Sequence, residues 1–296
     1  MTTAFAHHAP HTDLLTASAP SVSIIIPAYN EERTIGRALA AALDQTVPAL
    51  EIIVVDNRST DATAAVVARI AAAHPDRGIR LLDQHAVQGL IPTRNAGFAA
   101  ARGDILGRID ADSIIDRSWV ESVGSALMTS VAGAVTGPVS YYDLPLSRAS
   151  QRGDDLVRRA LRGVGRKYPF LYGSNMAIRA TAWSAIQHDA CLDPDDLFHE
   201  DIDLAVHLYE AGIVAAYDSS MIAGVSARRM DTSPASFRDY TRRFDRTYSE
   251  HNINHWYLGL PQLLLRGLYW PVHYGRAIFA SAGSASLTPV IRTEIA

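Results

Sequence analysis

Two runs decide the fold: VSIIIP at Val22–Pro27 and, after an Ala-rich stretch, EIIVVD at Glu51–Asp56. Each is short, rich in β-branched residues and closed by polar or turn-forming residues, the pattern of a strand. Residues 32–43 between them have helical composition, so strand, helix and strand make one βαβ unit. A helix over 61–73, a strand over 79–83, a segment around Arg94–Ala101 and a strand over 105–109 extend it. Strands with little internal polarity that alternate with helices imply a parallel sheet covered on both faces. Such sheets bind ligands outside the carboxyl ends of their strands, where the strand order reverses. The polar residues at those ends are Tyr29, Asn30 and Glu31, then Asp56 and Asn57, then Asp110 and Asp112.

Composition narrows the function. The chain has 296 residues, 48% of them hydrophobic and 20% charged, which excludes a disordered, collagen-like or coiled-coil protein. A net charge of -4 gives no basic excess, so nucleic acid is not the expected partner. The single cysteine, Cys191, cannot form an internal disulfide, which fits a reducing compartment. Residues 1–20, with His7, His8 and His11, lack the basic and apolar regions of a secretory signal and read as a disordered extension. The stretch from Trp256 to Ala282 is rich in Leu and aromatics, but Arg266 and Arg276 interrupt it before it could span a bilayer. Leu260, Leu264, Leu268 and Val272 recur at helical spacing, so this stretch either docks on the protein's own core or lies on a membrane surface. Residues 141–168 are polar and Arg-rich and read either as a mobile lid or as a solvated helix face.

Three clusters carry chemistry. Asp110-Ala111-Asp112 sets two carboxylates two residues apart just after an apolar strand, where alternate side chains project the same way. Two acids and a diphosphate together suit a hard divalent cation. Asp56 ends a strand in the same crevice and can accept hydrogen bonds from a nucleobase or a ribose. His199-Glu200-Asp201 opens a helix that runs to Ala211 and stops at Gly212; the positive end of that helix favours an ionised Asp201, the form a general base needs. Whether Asp201 works as a base depends on its facing the same cleft as Asp112.

Taken in order, Pro27-Ala28-Tyr29-Asn30-Glu31, Val54-Val55-Asp56-Asn57, Gly89 with Arg94-Asn95-Ala96-Gly97, Asp110-Ala111-Asp112 and Glu200-Asp201 closely resemble the motifs of family 2 glycosyltransferases. The resemblance covers about residues 21–230. It implies a GT-A fold: a mostly parallel sheet flanked by helices, with a Rossmann-like nucleotide-binding half and an acceptor half. Residues 231–296 would then be a helical C-terminal appendage. It also implies inverting transfer of a sugar from a UDP- or GDP-sugar donor to an acceptor hydroxyl, assisted by Mg²⁺ or Mn²⁺. By this resemblance Pro27, Tyr29 and Glu31 contact the nucleotide, Asp56 binds the base, and Arg94 stands beside the donor. Asp110 and Asp112 form the metal-binding D-x-D pair, Asp112 being the direct ligand, and Asp201 is the catalytic base.

The sequence also departs from the family. Where many members have Arg six residues after the Asp of Glu-Asp, it has His207. Where many have a metal-binding histidine after the following strand, it reads Val225-Ser226-Ala227-Arg228-Arg229. That leaves His199, His251 and His255 as candidates for a third metal ligand, and Arg228 and Arg229 as a clamp on the diphosphate. Gly173-Ser174-Asn175 resembles the family's acceptor-side segment. The Gln-x-x-Arg-Trp motif of processive synthases is absent. The expected acceptor is a lipid or cell-envelope glycan, met in the cytoplasm at the inner face of the membrane. The readings left beside this one are a catalytically silent nucleotide-sugar-binding scaffold and a nucleotidyltransferase. The second lacks the Gly- and basic-rich loop such enzymes carry after the first strand.

Overall fold

A computed structural model describes residues 19–144, 147–164, 167–190, 193 and 195–283. His7, His8, His11 and Cys191 lie outside the described residues, as does the N-terminal extension up to residue 18. The expected βαβ order is present: β1 (Val22–Ala28), α1 (Ile35–Leu43), β2 (Glu51–Asp56), α2 (Thr63–Ala73), β3 (Ile79–Asp83), α3 (Leu90–Ala100) and β4 (Ile105–Ile109). Next come β5 (Ile114–Ile115), α4 (Trp119–Met128), β6 (Ala134–Thr136), β7 (Val139–Tyr141), α5 (Ser147–Val164), β8 (Asn175–Arg179) and α6 (Ala180–Ile186). The chain continues through α7 (Glu200–Glu210), β9 (Ala215–Tyr217), β10 (Ala223–Val225), α8 (Pro234–Glu250) and α9 (Leu260–Gly283).

Seven strands form one sheet in the order β3-β2-β1-β4-β8-β6-β9. The half from β3 to β4 is parallel, and β8 pairs antiparallel with both β4 and β6. The strands are apolar on both sides because both faces are covered. Ile24, Ile26, Ile52 and Val54 pack with Leu39, Val67 and Trp119 on one face, while Ile25, Ile53, Val55 and Leu106 pack with Phe98, Trp183 and Leu204 on the other. Each such side chain contributes about 1.5–3 kcal/mol by leaving water.

β1 is the point where strand order reverses. Pro27 supplies no N–H, and the ladder to β4 stops at Ile25↔Arg108 while the ladder to β2 continues to Ala28↔Asp56. The ends of β1 and β4 are thus left unzipped from each other, at the place where a doubly wound sheet binds its ligand.

A second, three-stranded sheet, β5-β10-β7, lies beside the first. Its strand β5 directly follows the D-x-D turn, and β10 pairs antiparallel with it through Ala223↔Ile115 and Gly224↔Ile114. This pairing carries the 3-10 turn Ala227–Asp231, with Arg228 and Arg229, back to the acidic turn. Asn175 ties the two sheets together: Nδ2 donates to Pro138 O at 2.8 Å and Met221 O at 2.7 Å, and Oδ1 accepts from Trp119 Nε1 at 2.7 Å. Asn175 has no exposed surface, so the acceptor-side role expected of the Gly173–Asn175 segment does not extend to it.

Residues 147–164 form helix α5. Its Asp154 Oδ2 accepts from Val139 N at 2.8 Å, and Arg158 of the same helix lies over the Tyr172 ring at 3.5 Å. α7 ends as expected at Gly212, whose φ of 69° suits glycine. α9 packs back on the body: Tyr269 stacks on Phe237 at 4.3 Å and its hydroxyl donates to Thr232 O at 2.7 Å. Among the described residues no helix is long and apolar enough to cross a membrane.

Replacing Asn175 with Ala strands three buried polar groups at the junction of the sheets. At about 1–3 kcal/mol for a buried group left unpaired, the variant is expected to unfold at clearly lower urea concentration than the parent protein, as followed by circular dichroism.

Candidate active site

The three strand ends bring their polar residues to one edge of the sheet. Asn57 braces this edge: its amide donates to Gln84 O at 2.8 Å and Val87 O at 3.1 Å, and its Oδ1 accepts from Gly89 N at 2.8 Å. Asn30, at φ 55°, accepts from Thr60 N at 2.8 Å and donates its own N–H to Ser59 Oγ at 2.9 Å. Asp56 is buried; Ser59 N donates to its Oδ2 at 3.3 Å, but Oδ1 is enclosed and has no partner. A buried carboxylate oxygen without a partner is costly, and an N–H or O–H from a ligand would satisfy it. Tyr29 stands half-exposed beside it, whereas Pro27 is enclosed within β1 and shapes the edge from below.

The D-x-D pair is held from two directions. Asp110 forms an ion pair with Arg108 at 2.8 Å. Asp112 meets Arg228 Nε at 3.0 Å, and the same guanidinium makes a two-pronged contact with Glu31. Burial pushes the Asp112 carboxyl up to about 6; Asp110 and Glu31 push the same way, and Arg228 opposes them. Arg229 turns elsewhere, over the ring of Tyr240 at 4.6 Å.

α7 opens into this same site. Glu200 is buried and bridges two enclosed arginines, Arg94 at 2.9 Å and Arg108 at 3.3 Å. Since Arg108 also holds Asp110, a single side chain joins the D-x-D turn to the start of α7. Next along the helix, Asp201 Oδ2 accepts from Gly173 N at 2.9 Å and Oδ1 from Ile202 N at 2.9 Å. Burial, with Glu200 adding to it, pushes the Asp201 carboxyl up to about 6 against the Gly173 N–H, Arg108 and the Ile202 N–H. A Cβ at Gly173 would meet Glu200 Oε1 and Arg108 Nη1, so a larger residue there would push this ion pair aside.

Arg94 has no exposed surface, and its guanidinium is taken by Glu200 and by Asn95 Oδ1 at 2.8 and 3.0 Å, so it braces the start of α7. It is Arg228 that meets Asp112; of the three candidate histidines, His199 keeps an enclosed Nε2 without a hydrogen-bond partner. His199 packs edge-on to Tyr240 and Phe244, and burial drives its pKa down to about 3; His251 meets Asp203 at 3.1 Å; His255 stacks on Tyr257 at 5.6 Å. Arg108 had no role in the sequence reading. The signal was a charge inside the otherwise apolar strand ILGRI, where a guanidinium requires a buried carboxylate.

The donor set fits a divalent cation. Glu31, Asp110, Asp112, Glu200 and Asp201 face Arg94, Arg108 and Arg228, an excess of two negative charges, and burial, with Asp110 and Glu31 beside it, already makes Asp112 resist ionisation.

The family model for glycosyl transferase family 2 matches residues 23–187, more than half of the chain. The chain belongs to this family. Glycosyltransferase AglE of Haloferax volcanii is 31% identical over 150 residues, 50% of this chain and 49% of that protein. The succinoglycan biosynthesis protein ExoO of Rhizobium meliloti is 41% identical over 96 residues, 32% of this chain and 26% of that protein. This family 2 glycosyltransferase thus spans about half the length of the first of these relatives, and less of the second. In fold it resembles the mannosyltransferase PcManGT of Pyrobaculum calidifontis, solved with GDP-Man and Mn²⁺, with a TM-score of 0.63 at 20% identity over 92% of this chain and 77% of that one. The architecture is GT-A.

Glu200→Ala would leave two buried guanidinium groups short of a carboxylate. The expected loss of stability is about 3–5 kcal/mol, measured by denaturant unfolding, with loss of transfer in whatever fraction remains folded.

Proposed function

We propose that this glycosyltransferase moves a sugar from a nucleotide-diphosphate donor to an acceptor hydroxyl with inversion at the anomeric carbon, residues 21–230 being the catalytic unit. The observation that carries the reading is the Arg108 bridge, which puts a candidate cation site and a candidate base at one crevice. Asp56 Oδ1 offers the nucleobase or ribose an acceptor, with Pro27 and Tyr29 forming the wall beside it. Glu31 and Arg228 stand where the diphosphate would bind, whereas Arg229 is turned over the Tyr240 ring and is not part of this clamp. Asp112, with Asp110, is the place for Mg²⁺ or Mn²⁺. When bound, the cation offsets the charge that grows on the departing diphosphate.

Asp201 is the group for the proton. With its pKa near 6 it is ionised at neutral pH yet more basic than an ordinary aspartate, so it can take the acceptor's proton as the oxygen attacks. The Gly173 and Ile202 N–H groups hold both its oxygens in place while it does so. Inversion needs one displacement and no enzyme nucleophile.

The test is Asp201→Asn. It is expected to keep nucleotide-sugar binding, read as thermal stabilisation across a panel of UDP- and GDP-sugars with Mn²⁺, and to lose at least about 10²-fold in turnover. Full turnover would remove Asp201 as the base. Asp112→Asn is expected to abolish the metal-dependent part of that stabilisation. Because the raised pKa makes the base form dominant above about 6, the parent rate falls as pH falls through about 6. Asp112 titrates in the same direction, so the profile is measured at saturating Mn²⁺, which keeps Asp112 ionised.

The proposed acceptor is a lipid or cell-envelope glycan, reached by peripheral contact at the inner face of the membrane. The support is the exposure on α9 of Leu263, Leu264, Leu268, Trp270 and Tyr274, an apolar row of the kind that sits in a lipid interface. The double variant Leu264→Glu/Leu268→Glu is expected to stay folded and to lose flotation with anionic liposomes; unchanged flotation would remove the membrane contact.

A further inference from the structure

Two helices meet behind the candidate base, and their meeting point carries ligand chemistry that sugar transfer does not use. Asp203 and His207 stand one turn apart on α7, and His251 caps the C-terminal end of α8. Asp203 has no exposed surface. Its Oδ1 lies 3.1 Å from His251 Nε2 and 3.3 Å from His207 Nε2, and one ligand atom from each residue lies within 4.8 Å of the other two. His207 Nε2 is shut away from solvent and poorly aligned with Asp203, the carboxylate that nonetheless raises its pKa. The other ring nitrogen, Nδ1, points to Glu210 Oε2 at 3.9 Å.

Two of these three spacings are those of a tetrahedral ion site. Ligand bonds of about 2.0–2.1 Å to imidazole nitrogen and carboxylate oxygen imply ligand–ligand edges of about 3.3 Å. The two Asp203–His edges match. A carboxylate at the far nitrogen of a ligating imidazole fixes the ring and raises its basicity; Glu210 lies on that side of His207, at 3.9 Å. Two imidazoles and one carboxylate suit zinc and its neighbours, whereas the all-carboxylate D-x-D pair suits Mg²⁺ or Mn²⁺.

We propose that Asp203, His207 and His251 bind a zinc-class divalent ion, separate from the D-x-D cation, that fastens α7 to α8. The inference does not rest on the transferase reading. The ion is structural: successive residues turn about 100° around a helix, so Asp203 faces away from Asp201 and the ion fixes the base's helix from behind. The histidine in place of the family's arginine at position 207 then has a use, as the middle ligand of the set.

The experiment uses the full chain, stripped with chelator, and Co²⁺ as the probe. An equimolar addition is expected to give the visible absorption of a low-coordinate nitrogen and oxygen site, which Zn²⁺ abolishes. His207→Gln and His251→Gln should each weaken this binding by more than about tenfold, with the far-ultraviolet circular dichroism unchanged, whereas Asp112→Asn should keep it. As an independent readout, Zn²⁺ should raise the unfolding temperature of the parent chain by several degrees and leave those of the histidine variants unmoved. Absence of the band in the parent chain would mean that a proton on one of the rings supplies the positive charge Asp203 needs, and would overturn the proposal. So would a band that both histidine variants retain and Asp112→Asn removes. If a histidine variant does not fold, the zinc-dependent shift of the parent chain, measured against Asp112→Asn, decides.

Discussion

Arg108 is the constraint on which the site depends. It sits in β4, between β1 and β8, with 2% of its surface exposed. A guanidinium there has lost its hydration, a cost of several kcal/mol that only well-placed carboxylates offset. Asp110, two residues on and just past the end of β4, and Glu200, at the start of α7, supply them. Burial alone would lower the Arg108 pKa, but Asp110, Glu200, Asp201 and Asp112 hold it above its ordinary value. The strand core and the helix start are thereby bound by one charge, and Arg94 draws α3 into the same contact. A site fixed in this way inherits the rigidity of the sheet and does not rely on loops for its geometry.

The same crowding explains why two aspartates share an unusual acidity. Asp112 is buried and Asp201 part-buried, each next to another carboxylate, Asp110 in one case and Glu200 in the other, so ionisation of both is resisted for the same reason. What differs is the company. Asp201 is held by backbone N–H groups that cannot leave, which keeps it available as a fixed acceptor. Asp112 is held by Arg228, a long side chain shared with Glu31 and half-exposed, so its counter-charge is exchangeable. Fixed donors suit a base; an exchangeable cation suits an ion site.

The parallel half of the fold was legible because its signals are local. β2 and β4 lie where their apolar runs place them, since a strand buried on both faces admits little that is polar, and β3, part-buried at the sheet edge, lies at its expected place too. Asp110, Asp112 and Asp201 could be named because each stands at the boundary of such a run. Residues whose partners lie far away in sequence were harder. The partner of Arg94, Glu200, is 106 positions on, and Asn175 meets Pro138 and Met221 from two other elements, so neither could be separated from a ligand contact by sequence alone. Arg228 reaches Glu31 across 197 positions, through a pairing of β5 with β10 in which β5 has only two residues. The cluster around Asp203 joins a helical one-turn spacing to a residue 48 positions away, and only the packing of α7 on α8 brings them together.

This division has a consequence for the chain beyond residue 187, where the match to the family model ends. Glu200, Asp201 and Arg228 all lie past that point, yet Arg108 and Asp112 within the matched part are incomplete without them. The later segment is fastened to the earlier one by charge at the site and by packing behind it: Ile202, adjacent to Asp201, buries itself among Phe244, Tyr248, Tyr257 and Leu258. One face of α7 therefore answers to Arg108 and the other to the C-terminal helices. A substitution in α8 that loosens the Ile202 contacts would be felt at Asp201 through the rotation of a single helix, without any change among the residues that line the crevice.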